Sequence, residues 1–414
     1  MKRFKAAALI GNVLEHYDQA LFGLLAPFIA PLFFSEEDPL TALILTYGIL
    51  PLSFLTRPLG SLFFGWLGDR FGGSTSLFYS LSGMAFVTVS MGFLPLYKDC
   101  GILAPILLAL GRMCQGFCMA GETAGGAIFL LEKTEDRRRG LISSFYDASS
   151  IGGILIGSIL ITVMSSRDWI EPYWRFLFWG GGATAFFGLF FRWDRTHESP
   201  KKVSWIHALS QNRRSLISII IASGFSYTAY SLTFTLMNGY VPLVTPLTKS
   251  AVMEANTWLL IIDMILLPCS GYLSTLIGKE KTMFIAALLS AITALPLFSL
   301  LSQASFITVI VIRMVILLFG VTFAAPYHAW ALSQVPKEHR YLILSFGYAI
   351  GSQLIGAPSA AISLFLYKIT GWVAAPGLYL MLIGSLASLS CKLSCKRAEN
   401  KVVDGVKTIP IGSS

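Results

Sequence analysis

The sequence is short of charge. Of its 414 residues only 13% are Asp, Glu, Lys or Arg, against 55% hydrophobic, where a soluble chain carries about a quarter charged. No soluble core could hide so much apolar surface, so lipid is the solvent for most of the chain. The sequence is also poor in the residues of chemistry. Its six cysteines include Cys114 and Cys118 at helical spacing, but neither His nor a further Cys completes a metal site there. No glycine-rich phosphate loop supports ATP hydrolysis, and no nucleophile constellation supports catalysis. Neither enzyme, metal nor cofactor is therefore expected. The alternating ten-residue pattern of a membrane barrel is missing too, which leaves helices.

What the sequence has is long apolar runs with short polar breaks. They fall at 6–34, 40–68, 74–96, 102–131, 140–166, 173–192, 214–244, 252–277, 281–301, 304–333, 341–367 and 372–391. Each is long enough for the ~20 residues that cross a bilayer. The expected fold class is all-α membrane protein with twelve transmembrane helices. The first run is read as a retained helix and not a cleaved signal, because Glu15 and Asp18 interrupt it and no cleavage site follows.

The formal net charge of +9 reflects topology. Of 31 Lys and Arg, 23 fall in breaks on the side that holds both termini and five on the other, while Arg57, Arg112 and Arg313 remain within the spans. This asymmetry places both termini in the cytoplasm, with the lipid bilayer of the plasma membrane (an inner membrane in a bacterium) as the surroundings. A nucleic-acid partner would need a clustered basic patch with a reading module, and neither is present.

The longest break on that side, 193–213, is charged and contains Pro200. It divides a six-helix bundle at 1–192 from a second at 214–391, with a short tail at 392–414. Landmarks recur across it. Arg112-Met113 returns as Arg313-Met314 and Ser144-Phe145 as Ser345-Phe346, both 201 residues on; Gly65 and Gly72 match Gly271 and Gly278, both 206 on. The common offset indicates a duplicated unit and two pseudo-symmetric bundles around a central cavity.

The loop after the second span runs from Arg57-Pro58 through Gly65-Trp66-Leu67-Gly68-Asp69-Arg70-Phe71-Gly72. It resembles the signature between helices 2 and 3 of the major facilitator superfamily, with Gly73-Ser74 where that signature ends on two basic residues. The resemblance implies a conformational latch formed by Gly65, Asp69, Arg70 and Gly72, with Arg57 and Glu122 nearby. Two further stretches narrow it to the metabolite:H+ symporter branch. The first is Gly11-Asn12-Val13-Leu14-Glu15-His16-Tyr17-Asp18, and the second is Arg112-Met113-Cys114-Gln115-Gly116 followed by Gly121-Glu122. The stretch Ser144-Phe145-Tyr146-Asp147-Ala148-Ser149-Ser150 is most similar to the proline/betaine members of that branch.

Elementary chemistry singles out the same residues. Glu15 and Asp18 are three apart and share a helix face, roughly 13–18 Å from the start of the first helix. An ionised carboxylate there costs about 2.5–3.5 kcal/mol on insertion scales, so it faces a cavity and either pairs with a cation or holds a proton. Asp263 is a third such acid, and together the three are the candidate proton-coupling groups. Arg112 and Arg313 lie about mid-span by the same rise, and their forked guanidinium suits a substrate carboxylate or one of these acids. Tyr17, Tyr47, Tyr230, Trp258 and Trp330 are rings that can line a cavity and cradle a quaternary ammonium, of which Tyr17 and Trp330 are taken with the arginines as candidate substrate contacts. Gly153 and Gly157 have the spacing that lets helices approach closely.

The expected function is proton-coupled symport of a small polar metabolite by alternating access, the protein acting as a monomer. A betaine or amino-acid zwitterion is favoured. An organic-acid symporter, or an uncoupled facilitator or antiporter of the same fold, is the alternative.

Overall fold

The computed structural model describes residues 2–34, 39–52, 56–57, 59–60, 63–64, 67, 73–119, 131, 134–135, 138–192, 205–302, 304–336 and 339–407. Within them the chain is helical. Twelve columns follow one another: α1 (Lys2–Phe33), α2 (Pro39–Ile49), α3 (Gly73–Met91), α4 (Leu103–Met119), α5 (Arg139–Ser165) and α6 (Ile170–Arg192) form the first six. The last six are α7 (Arg213–Val244), α8 (Lys249–Ile277), α9 (Lys279–Ser299), α10 (Phe306–Gln334), α11 (Arg340–Ile350 continued by Ser359–Thr370) and α12 (Ala375–Lys407). Seven of the described helices are long and apolar enough to cross a bilayer by length and composition. Where the apolar runs are described they are largely helical, with the ends of the runs at 40–68 and 102–131 largely outside the described residues and α3 ending at Met91, ahead of the expected 96. One differs in the other direction: α12 continues to Lys407, well past the expected end at 391. A short helix, Trp205–Gln211, also forms inside the break at 193–213.

Polar caps and glycines mark the ends. Thr248 accepts a bond from the Ala251 amide at 3.2 Å to start α8, and Ser305 accepts from Thr308 at 3.3 Å to start α10. The turn from α8 to α9 passes through Gly278 at φ +100°, a backbone state that side chains rarely adopt. Two helices contain π-type turns, α7 at Ser231–Leu236 and α11 at Gly351–Gly356. Such turns widen a helix locally and leave carbonyls free for other partners.

An even number of crossings puts the start of α1 and the end of α12 at one face, here called the terminal face; the other is the far face. Within the first six helices α1 packs on α5 and α6, and α3 on α6; within the last six α9 packs on α12 and α7 on α11. Between the sets, α5 packs along α8, and α2 meets α11. Gly153 makes the α1–α5 approach possible, since a Cβ there would lie 2.8 Å from the Tyr17 backbone nitrogen. Gly157, one turn on, also faces Tyr17. The small-residue spacing read from the sequence therefore packs on α1.

Polar contacts stitch the sets together toward the far face. Lys249 donates to the Pro27 carbonyl at 2.8 Å, Tyr47 to the Thr235 carbonyl at 2.6 Å, and Lys368 reaches Thr41. On the α5–α8 seam Ser158 and Thr162 bond Thr257 at 2.8 and 2.6 Å.

Candidate functional site

The first polar cluster lies inside the first six helices. Asp18 of α1 is only 2% exposed, buried among α3, α4 and α6. Thr88 of α3 donates to its Oδ2 at 3.1 Å, and so does the Nε2 of Gln115 of α4, also at 3.1 Å. The same Gln115 nitrogen donates to Thr88 at 2.7 Å. The Gln115 carbonyl oxygen then accepts from Arg112 Nη1 at 2.7 Å. One orientation of the amide satisfies all of this: donor side to the carboxylate and threonine, acceptor side to the guanidinium. A chain of charge-assisted bonds therefore joins Asp18 to Arg112 through a neutral relay.

Helix geometry explains the arrangement. Arg112 and Gln115 are three apart on α4 and share a face. Gly181 of α6 makes room opposite, since a Cβ there would sit 3.0 Å from Asp18 Oδ1. The Arg112 guanidinium also rests 4.9 Å over the Phe22 ring of α1, a cation–π contact that helps hold a buried charge. Beyond it lie Arg57 and Tyr227, both within electrostatic reach of Arg112.

A small cavity of about 50 Å³ opens beside this cluster between α1 and α7, lined by Ala20, Gly23, Leu24, Tyr227, Tyr230, Ser231 and Thr235. Its α7 wall includes part of the π-type turn. The volume suits water and is far below the ~300 Å³ at which small-molecule pockets begin.

Arg313 of α10 has a different setting. It is fully buried and donates to the Val252 carbonyl at 3.3 Å, to Asn238 Oδ1 at 3.3 Å and to Asn256 Oδ1. Asn256 in turn donates to Ser158 of α5 at 3.2 Å. These neutral oxygens hold the guanidinium in a closed cage, with Tyr47 in electrostatic reach.

Of the other acids expected at the site, Asp263 of α8 is buried, and its electrostatic neighbours are Asp147 of α5 and Tyr230 of α7. Glu15 lies in α1 with its side chain outside the described residues, and Gly65, Asp69, Arg70, Gly72 and Glu122 also lie outside them. Arg57 approaches the Met119 sulfur at 3.8 Å. Tyr17 donates to the Leu177 carbonyl at 3.2 Å, which ties α1 to α6. Trp330 is fully buried in the core of the last six helices. Trp258, offered by the sequence as a cavity ring, is 61% exposed at the surface of α8.

The structure brings in residues the sequence reading gave no role. Gln115 and Thr88 complete the Asp18 cluster, and Tyr227 faces Arg112 from the other set of helices. His328 of α10 bonds Asp147 of α5, Nε2 to Oδ1, at 3.2 Å. Gln115 had a signal, its i+3 spacing from Arg112; Thr88, Tyr227 and His328 had none, since each meets its partners only across helices.

Comparison with known proteins supplies the context. The Major Facilitator Superfamily matches residues 9–255. The chain is 28% identical to the glycine betaine/proline/ectoine/pipecolic acid transporter OusA of Dickeya dadantii, over 98% of this chain and 85% of that one. It is 30% identical to a putative proline/betaine transporter of Staphylococcus aureus, over 94% and 87%. Among solved structures, the D-xylose-proton symporter aligns with TM-score 0.72 at 16% identity, covering 94% and 96% of the two chains. These matches and the twelve-column helical architecture make this chain a membrane transporter of the Major Facilitator Superfamily.

Proposed function

We propose that the protein is a secondary active carrier that moves a small zwitterion, an amino acid or betaine, together with a proton by alternating access. The Asp18–Gln115–Arg112 chain carries this reading. It sets a buried carboxylate and a buried guanidinium one amide apart, next to the cavity at the seam between the two sets of helices. A proton on Asp18 weakens its hold on Gln115 and, through the amide, changes what Arg112 can offer a substrate carboxylate. Tyr227 and Tyr230 across the seam suit the cationic end of a betaine or proline. The relatives named for proline and betaine favour the same solute class. The enclosure of Arg313 by amides argues against a two-arginine clamp for a dicarboxylate.

In this reading the bundles at 1–192 and 214–391 rock about the α5–α8 seam, joined by 193–213. Both termini are cytoplasmic, and one chain suffices for transport. Asp263 faces the seam as a further proton-coupling group, while Arg57 and the Asp69 loop with Glu122 serve as the latch.

The test is uptake of labelled proline and glycine betaine by purified protein in liposomes under an imposed proton gradient. Accumulation above the equilibrium level is expected, collapsing when a protonophore is added. Asp18→Asn is expected to abolish accumulation while leaving exchange across the membrane measurable. Concentrative uptake that survives neutralisation of Asp18, Glu15 and Asp263 together would refute proton coupling at these acids.

A further inference from the structure

The hydrogen bonds described for Asp18, to Thr88 and Gln115, lie within the first six helices. Asp147 and His328 do join the sets: α5 supplies the carboxylate and α10 the imidazole, 3.2 Å apart. Asp147 stands eight residues past Arg139 on α5, and His328 stands six before Gln334 on α10. Both therefore lie about 9–12 Å in from the terminal face at the helical rise. Their side chains are 21% and 22% exposed, enough for water to deliver a proton and too little for full screening.

The groups around the pair come from its own two helices and from three others. Tyr146 of α5 meets the imidazole edge-on at 5.9 Å, Tyr327 of α10 lies at 5.1 Å, and Tyr348 of α11 at 6.1 Å. Asp263 of α8 acts on Asp147, and Tyr230 of α7 acts on Asp263. Each of these neighbours is a phenol or a carboxyl. A protonated imidazole 3.2 Å from the Asp147 carboxylate pairs with it at this half-buried seam.

The seam is also smooth. Close by, Gly271 of α8 sits against Ser144 of α5, where a Cβ would meet the serine Cβ at 2.7 Å, and Gly140 of α5 sits against Ser274 at a similar distance. Small residues facing small residues let helices part without unlocking large side chains. The His328–Asp147 pair is a polar tie between the sets, set slightly deeper from the terminal face than these glycines.

We propose that His328 and Asp147 form a second proton-binding site of the carrier, which couples proton occupancy to closure of the terminal face. The inference rests on the reading of the protein as a proton-coupled carrier and adds to it a residue pair and a place. With the proton on His328, the imidazolium faces Asp147 and draws the sets together. When the proton leaves, the imidazole is neutral and its ionic tie to Asp147 is lost. Proton binding and closure therefore favour one another by the same factor. The step is proton exchange alone: an imidazole N–H bond forms with a proton from water and breaks to return it to water.

The test measures the distance between the sets directly. Full-length protein in lipid nanodiscs, with the exposed Cys114 and Cys269 replaced by Ala, carries spin labels at Arg138→Cys and Arg213→Cys on the terminal face. Raising the pH from about 5 to about 8 is expected to move the distance distribution toward longer separations. His328→Gln and Asp147→Asn are each expected to cut that movement at least about threefold, and Asp18→Asn to leave most of it. A wild-type distribution that ignores pH overturns the proposal without any variant. So does a full pH response in His328→Gln, or one lost only in Asp18→Asn. If the pH response persists while neither proline nor glycine betaine is taken up, the His328–Asp147 site stands and the proposed transport reading falls.

Discussion

Arg112 and Arg313 stand 201 residues apart, each followed by Met, at matching places on α4 and α10. Their surroundings are opposite in kind. Arg112 is linked through Gln115 to a carboxylate, lies over Phe22, and faces Tyr227 across the seam next to a cavity. Arg313 is sealed by two asparagine oxygens and a backbone carbonyl, with Asn256 passing the contact on to Ser158. The first arrangement has a partner whose charge can change with one proton. The second has only neutral partners, whose hydrogen bonds hold one geometry whatever the pH. On the proposed reading, matching positions in the two halves carry a working charge at Arg112 and a structural one at Arg313.

The halves differ in their backbones as well. Among the described residues the π-type turns lie in α7 and α11, both in the last six helices. In the first six, close approach relies on glycines such as Gly153 and Gly181. Close glycine approaches occur in the last six helices too, at Gly224, Gly351 and Gly356, and of the two π-type turns the one in α7 reaches the cavity wall.

The largest effect expected from breaking this contrast comes from Gly153→Leu. The side chain would enter the α1 backbone at Val13 and Tyr17, a clash with no flexible neighbour to yield, so a loss of more than ~3 kcal/mol and little folded protein are expected. Detergent size-exclusion and thermal melting read this out; a monodisperse variant with unchanged melting would mean that α1 and α5 are not in contact there. Next come the two arginines, compared as a pair. Arg112→Lys is expected to lower uptake about a hundredfold with little change in melting, because a point charge cannot both reach Gln115 and remain over Phe22. Arg313→Lys is expected to do the reverse, costing about 1–3 kcal/mol through amide oxygens left unpaired while uptake per folded molecule falls far less. Finding the two phenotypes exchanged would reverse the assignment of roles.

Gln115→Leu is intermediate. It cuts the relay between Asp18 and Arg112, and uptake is expected to fall about tenfold or more, with about 1–2 kcal/mol lost from the unmade bonds. Retained coupling in this variant would show that acid and arginine act independently. Trp258→Ala is the smallest, within about 0.5 kcal/mol and without effect on uptake, because the ring faces outward. A marked loss of uptake there would bring Trp258 back as a cavity residue.

Much of this architecture was legible before any coordinates. Apolar runs of sufficient length in lipid have one solution, a helix that satisfies its own backbone. The runs ending near 34, 166, 192, 244 and 277 therefore end where helices end, at Phe33, Ser165, Arg192, Val244 and Ile277. The run ending at 391 misled because the helix-favouring residues after it, Lys, Ala and Glu among them, continue α12 in a polar setting that hydropathy does not register. Asp18, Arg112 and Asp263 stood out in the sequence because a charge in an apolar run is conspicuous, and all three are buried. Thr88 and Tyr227 were not, since a threonine or tyrosine in a membrane helix is ordinary until its neighbours are known.

The sequence by itself determined the helical crossings and the short roster of charges buried among them, because each follows from local composition and the cost of charge in lipid. Only the tertiary structure decided how those charges are paired. Which arginine meets an acid, and which acid on α5 meets His328 on α10, depends on the rotation of each helix and on contacts between residues up to 181 positions apart. No local pattern encodes that distance.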